Sequence, residues 1–495
     1  MKETGILLPV SALPSRSGVG ELGKYAYEWL EMLCDAGITI WQILPLNPAG
    51  YGNSPYQPYS SFAGDEIYIS LDGLYEDGLL KELPPDYRKD ESRINYEMIR
   101  EFKEPYLRKA YEAFQTSKEY EAFKSQEWVR QYSVFRALKL ANEGRCWVEW
   151  EDSLKHWPED GKADLSPYQE EAGYQAFLQY LFSRQWKKIH EAAQEKGIKI
   201  MGDVPFYVGI DSADVWAKKE NFLLDTDGRP TFIAGVPPDY FSATGQRWGN
   251  PIYDWEYMKE NNYKFWIDRI GYSQKMFDLI RIDHFRAFDT YWKIPASCPT
   301  AMEGEWIEAP GYEVMDRMLA EIPGLSLVAE DLGMLRAEVT KLKDHYQLKG
   351  MKILQFSIQT DGKYARDEFH DTENMIIYTG THDNATLKEW YQSLTNAGRR
   401  KLRRWLRRNG LKNGSVNERL IFYALGSVAD YAVIAAADLI EAGEEARLNT
   451  PGTVGSPNWE WKLVDFREMK IKLSRYKQAV HWRKGGTYGI SGSLS

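Results

Sequence analysis

The sequence predicts an α/β protein, a (β/α)8 TIM barrel with large helical and loop insertions after strands 2 and 3. Three observations predict it. Eight short aliphatic runs follow one another along 495 residues, separated by helical or inserted segments rather than tight hairpin turns, which is the pattern of parallel β/α units. Polar residues gather at the C-terminal ends of runs three, four, five and seven, the end at which such barrels carry their chemistry. With 43% hydrophobic residues, the chain can bury the core that this architecture needs.

The first strand is read at residues 5–10, followed by a turn-rich stretch at 15–20. A helix pattern over 25–37 buries Trp29, Leu30 and Leu33 and ends on Gly37 as its C-cap. The second strand is read at 39–45. In the loop at 51–62, Gly, Asn and Pro oppose regular structure, and the aromatics are too closely spaced for one helix face. Residues 51–190 read as an insertion, charged and helical in its later part, and a helix over 174–196 carries the chain back. The third strand, 199–205, contains Asp203. A second insertion, 206–276, holds Pro237-Pro238-Asp239-Tyr240-Phe241 and Gln246-Arg247-Trp248-Gly249-Asn250-Pro251, which read as loop over a cleft. The fourth strand is Leu279-Ile280-Arg281-Ile282-Asp283-His284-Phe285-Arg286, aliphatic at first and then charged. Strands five to eight are read at 326–333, 352–358, 375–384 and 431–438, the last fitting a helix equally well. No internal repeat or flexible linker divides the chain, so residues 1–495 read as one unit.

Net charge is −10, which argues against nucleic acid and other polyanions as partners. Cys34, Cys146 and Cys298 lie far apart, which suits a reducing compartment and offers neither a disulfide framework nor a zinc site. No apolar run approaches the roughly 18 residues of a membrane span, and the first strand begins too early to leave room for a signal peptide. The expectation is a cytoplasmic protein with no membrane partner. The 18 Trp and 32 Tyr combine flat apolar faces with hydrogen-bonding edges, which suits sugars. An aromatic-rich core would give the same count.

The candidate chemical groups are Asp203, Asp283, Glu330 and Asp383, which only folding can bring together. Carboxylates sharing one mouth push their pKa values apart unless cations intervene. Glycosidic chemistry uses such a separation, with one carboxylate ionised and another protonated. Arg281 and Arg286 flank Asp283 and favour its charged form, whereas Glu330 has no basic neighbour in sequence. Asp383 with His382 could hold sugar hydroxyls. An acidic rim with Asn384 could also hold Mg²⁺ or Ca²⁺, but the arginines weigh against it. His284 and His382 lack a third zinc ligand at suitable spacing. No metal and no cofactor is expected. A single Arg-x-Asp at a strand end is as readily structural; the conjunction on successive strand ends favours chemistry.

The motifs R-I-D-H-F-R at 281–286, A-E-D-L-G at 329–333, G-T-H-D-N at 380–384, S-P-Y-Q at 54–57 and W-G-N-P at 248–251 form a specific set. On them the chain resembles the 4-α-glucanotransferases (amylomaltases, or disproportionating enzymes), a branch of the α-amylase-like barrel enzymes. The resemblance covers nearly the whole chain. It implies Asp283 as nucleophile, Glu330 as general acid/base and Asp383 as transition-state stabiliser. It implies that Arg281 orients the nucleophile and that His382, Asp203 and Tyr56 contact the sugar at the cleavage point. Asn449 and Trp248 would line the cleft, Tyr240 and Phe241 would belong to a loop folded over the glucan, and Tyr51 to a second glucan-binding patch. Two positions depart from the family pattern, Ala287 for Gly and Ala385 for an acidic residue, and neither removes a catalytic group. The implied partners are maltooligosaccharides and α-1,4-glucans. A plain α-1,4-glucan hydrolase would use the same residues, whereas a non-catalytic glucan-binding protein would not need the carboxylates.

Overall fold

The computed structural model describes residues 2–238, 242–333 and 335–485. Eight parallel strands form its centre: β1 (Glu3–Leu7), β2 (Ile40–Gln42), β3 (Lys199–Val204), β4 (Leu279–Ile282), β5 (Leu327–Ala329), β6 (Gly350–Ile353), β7 (Met375–Tyr378) and β8 (Tyr431–Ala435). Their spatial order is β6-β7-β8-β1-β2-β3-β4-β5, each beside its neighbour in sequence. A parallel bridge between Val328 and Lys349 joins β5 to the entry of β6 and closes the cylinder, where Ala329 N donates to Lys349 O at 2.9 Å. The (β/α)8 barrel expected from the aliphatic runs is present.

The first barrel helix illustrates how sequence becomes packing. Lys24–Ala36 buries Ala26, Trp29, Leu30, Leu33 and Ala36 along one stripe and stops at Gly37, whose φ of 78° is left-handed. After β2 the chain leaves the barrel for a mainly helical insertion, which includes Tyr96–Ala113, Glu127–Ala141 and the 27-residue Gln169–Glu195. Among the described residues, no helix is long and apolar enough to cross a membrane.

Three sequence expectations need correction. The stretch 246–251, read as loop, is the strand Gln246–Pro251 at the edge of a four-stranded antiparallel sheet. Its neighbours in order are Phe232–Val236, Thr290–Pro295 and Glu305–Glu308. An edge strand tolerates Pro, and the irregular register at Ile233/Gly235 absorbs the glycines. The sixth strand ends at Ile353 rather than 358, because Leu354–Ser357 turns into a helix. The ambiguous eighth segment is both things in turn, strand through Ala435 and then helix Ala436–Leu439.

Candidate active site

Strand register assembles the centre. Asp203 on β3 is paired with Arg281 on β4, so the two side chains share one face of the sheet, and Asp283, two residues on, shares it too. Ile282 pairs with Ala329 on β5, which makes Asp283 and Glu330 neighbours on the next rung. Backbone bonds fix that rung: Asp283 N donates to Val204 O at 3.0 Å and Glu330 N to Ile282 O at 3.1 Å.

Arg281 is the charge at the middle. Its Nη1 donates to both oxygens of Asp203 at 2.7 Å and lies 3.0 Å from Asp283 Oδ1. Burial alone would lower the Arg281 pKa, but the carboxylates of Asp203 and Asp283 outweigh it and keep the guanidinium charged. The Asp203 side chain is fully enclosed, while that of Asp283 keeps 30% exposure toward the mouth. Burial raises the Asp203 carboxyl, against the opposing pull of Arg281.

Glu330 is in the opposite situation. Burial first, then the negative Asp283, push its carboxyl up to about 7. Two backbone donors, Leu332 N at 3.0 Å and His284 N at 2.9 Å, hold the group in place without reversing that shift. The His284 amide can reach it because His284 adopts φ 53°, in the left-handed region. Burial, with Arg286 adding to it, lowers the His284 imidazole to about 3, so the ring is neutral. It is met edge-on by Trp248 at 4.9 Å.

The third carboxylate follows β7. Burial disfavours the charged form of Asp383, but His382, Asn449 and Arg281 outweigh it and bring the pKa to about 2. Asn449 Nδ2 donates to Asp383 Oδ1 at 2.6 Å, and His382 Nε2 stands 3.5 Å from Oδ2. Burial alone would lower His382, and Asp383 more than reverses this. Tyr56, far away in sequence, donates from Oη to Asp203 Oδ2 at 2.8 Å and lies 3.2 Å from His382 Nδ1. Its ring stacks on His382 with centroids 4.8 Å apart. The mouth therefore holds one carboxyl pushed up to about 7, Glu330, and one held charged, Asp383, with Asp283 open toward the mouth beside Arg281, an arrangement suited to acid-assisted displacement at an acetal carbon.

A family model described as 4-alpha-glucanotransferase matches residues 8–467. The chain belongs to that family. It is 40% identical over 474 residues to the 4-alpha-glucanotransferase of Thermus thermophilus, covering 93% of this chain and 94% of that one. It is 39% identical over 494 residues to that of Aquifex aeolicus, covering 98% and 100%. Among solved structures, the amylomaltase from Streptococcus agalactiae in complex with acarbose superposes with a TM-score of 0.91 at 33% identity, covering 98% of this chain and 99% of that one.

In this family member the fold brings Asp203, Arg281, Asp283, Glu330, His382, Asp383, Asn449 and Tyr56 to one mouth, with Trp248 reaching it through His284. The motifs at 54–57 and 248–251 also touch, since Gln57 Nε2 donates to Asn250 Oδ1 at 3.0 Å. Tyr240 and Phe241 lie outside the described residues. Tyr51 opens the short turn Tyr51–Asn53, its side chain outside the described atoms, and Gly52 in that turn approaches Val454 closely. Sequence reasoning missed Trp459, whose ring lies 5.7 Å from Tyr56 and 5.9 Å from His382. No charge marks Trp459; the preceding Ser-Pro turn was its only signal. It also missed that the His284 amide anchors the acid, a contact set by backbone conformation alone.

Proposed function

We propose that this chain is a 4-α-glucanotransferase that moves α-1,4-glucan segments between maltooligosaccharides by a retaining double displacement. The observation that carries the reading is the adjacent pair on β4 and β5, with Glu330 protonated near neutrality beside Asp283 and its partner Arg281. An Asp283 oxygen attacks the anomeric carbon as its bond to the bridging oxygen breaks, and Glu330 gives its proton to that oxygen. The first product leaves, and a glycosyl ester on Asp283 remains. Glu330, now ionised, takes the proton from the 4-hydroxyl of an acceptor sugar. That oxygen attacks the same carbon and releases Asp283. Inversion twice gives retention.

Arg281 orients Asp283, and Asp203, Tyr56 and His382 hold the hydroxyls of the sugar being cleaved. Asp383, kept ionised by His382 and Asn449, stabilises the positive charge that builds on the sugar ring. Trp248, with Tyr240 and Phe241, covers the glucan and keeps water from the ester; Tyr51 serves a second glucan patch. The insertions at 51–190 and 206–276 belong to the same catalytic unit, which acts in the cytoplasm without nucleic acid or membrane. Incubation with maltotriose tests the reading. A ladder of longer oligomers is expected, and the Asp283→Asn variant, still folded, makes none. Glucose and maltose alone would mark a hydrolase instead.

A further inference from the structure

Away from the carboxylate mouth, a groove of about 420 Å³ opens on the outer wall of the barrel. The helix Lys264–Met276 forms one side, and the start of Glu127–Ala141 forms the other. The loop at 60–62 and the end of the helix Gly311–Glu321 close its ends. Its floor is aromatic: Phe62, Trp128 and Tyr272, all partly exposed, have ring centroids 5.3 to 6.3 Å apart. Among the described residues the Tyr272 hydroxyl has no hydrogen-bond partner. The rim carries the amides of Gln126, Gln131 and Gln274 together with charges of both signs.

This combination selects a ligand class. The groove's lining carries four carboxylates, Glu127, Asp214, Asp268 and Glu321, against two lysines, Lys218 and Lys275, which repels an anion. Among the described residues no cluster of three His, Cys or acidic groups gathers to hold a metal ion, and an aromatic floor ringed by amides is unlike an aliphatic lipid groove. Apolar ring edges beside groups that both donate and accept fit the C–H faces and hydroxyls of a sugar. The groove is also tied to the mouth. Phe62 stands six residues after Tyr56 on one loop, and Ser61 N donates to Asp214 Oδ2 at 2.8 Å in the groove wall.

We propose that this groove is a further α-glucan-binding site, separate from the patch proposed at Tyr51, and that it holds long chains against the barrel wall and steadies the loop carrying Tyr56. The proposal rests on α-glucan being the substrate. The test is calorimetric titration of maltoheptaose into the inert Asp283→Asn protein and into the same protein carrying Trp128→Ala. A second comparison carries Gln131→Ala with Tyr272→Phe, which trims polar contacts and leaves the aromatic packing in place. Each is expected to bind one equivalent fewer than its parent and to run faster than it through a glycogen-containing native gel. Unchanged stoichiometry and mobility in both would overturn the groove while leaving the catalytic reading untouched. Failure of the parent to bind any maltoheptaose, together with no ladder from maltotriose, would instead remove the substrate assignment and the groove with it.

Discussion

At the scale of single residues, the site works because its carboxylates sit in different surroundings. Glu330, pushed to about 7 by burial and by Asp283, should lose its catalytic proton as pH rises through that value. The alkaline limb of kcat/KM for maltotriose is therefore expected near pH 7, and a limb two units higher would contradict the assignment. The same shift affects stability with a definite sign. The folded state holds this proton more tightly than the unfolded chain, whose glutamates titrate near 4.3, so stability falls as pH rises from there through about 7. Glu330→Gln should then melt higher than the parent at pH 8, with the gap closing at pH 5; a constant gap would show that the carboxyl is not raised. Arg281 gives the opposite lesson. Truncation to Met leaves enclosed Asp203 with only the Tyr56 hydroxyl, and breaking a buried pair in this way costs about 3–5 kcal/mol. Urea unfolding should report that loss alongside lost turnover. The carboxylates were legible in sequence as strand-end charges; their anchors were not, because the His284 amide and the Asn449 amide reach them only through the fold.

At the scale of elements, what matters is how closely the helices can approach the strands that carry the site. Gly202, next to Asp203 on β3, leaves room for the Phe277 ring; a Cβ there would lie 2.2 Å from the ring. Overpacking of this kind costs about 1–3 kcal/mol, and here it must move either Phe277 at the helix end or the strand itself. Gly202→Ala is expected to lower the melting temperature and also kcat, because Asp203 and its bond to Arg281 move with the strand; wild-type kcat would mean that only Phe277 gives way. The barrel strands were legible because most carry the aliphatic residues that a strand buried on both faces needs, as at Ile280 and Ile282 or Ile376 and Ile377. The four-stranded sheet was not. Gln246–Pro251 carries Gly and Pro, and its sheet is completed by Thr290–Pro295, on the far side of β4 in sequence, a pairing no local pattern announces. The sixth strand was overextended for a related reason, since Ile353-Leu354 and Phe356 keep an apolar, alternating pattern from the strand into the helix Leu354–Ser357.

At the scale of the whole molecule, the charge is unevenly spread. The chain is acidic at −10, yet no Asp or Glu occurs between residues 390 and 417, a stretch containing the helix Asn396–Arg408. That helix buries Gly398, Leu402 and Leu406 and turns Arg400, Arg403, Arg404, Arg407 and Arg408 to solvent. Among the described residues none of these five forms an ion pair. Arg403 lies four residues from Arg399 and from Arg407, and each such like-charge pair destabilises a helix by about 0.2–0.5 kcal/mol. The strain reaches the next helix, Val416–Leu425, where burial first, then Arg407 and Arg403, lower the Arg419 pKa. Arg403→Glu replaces both repulsions with attractions and relieves Arg419, so it should stabilise the fold by about 1–2 kcal/mol at low salt. Because exposed charges are screened over about 10 Å at 0.1 M ionic strength and about 3 Å at 1 M, the gain should shrink toward zero in high salt. Melting curves of parent and variant across that range decide the matter: a gain independent of salt would mean that helix propensity, not charge, is what the substitution changes.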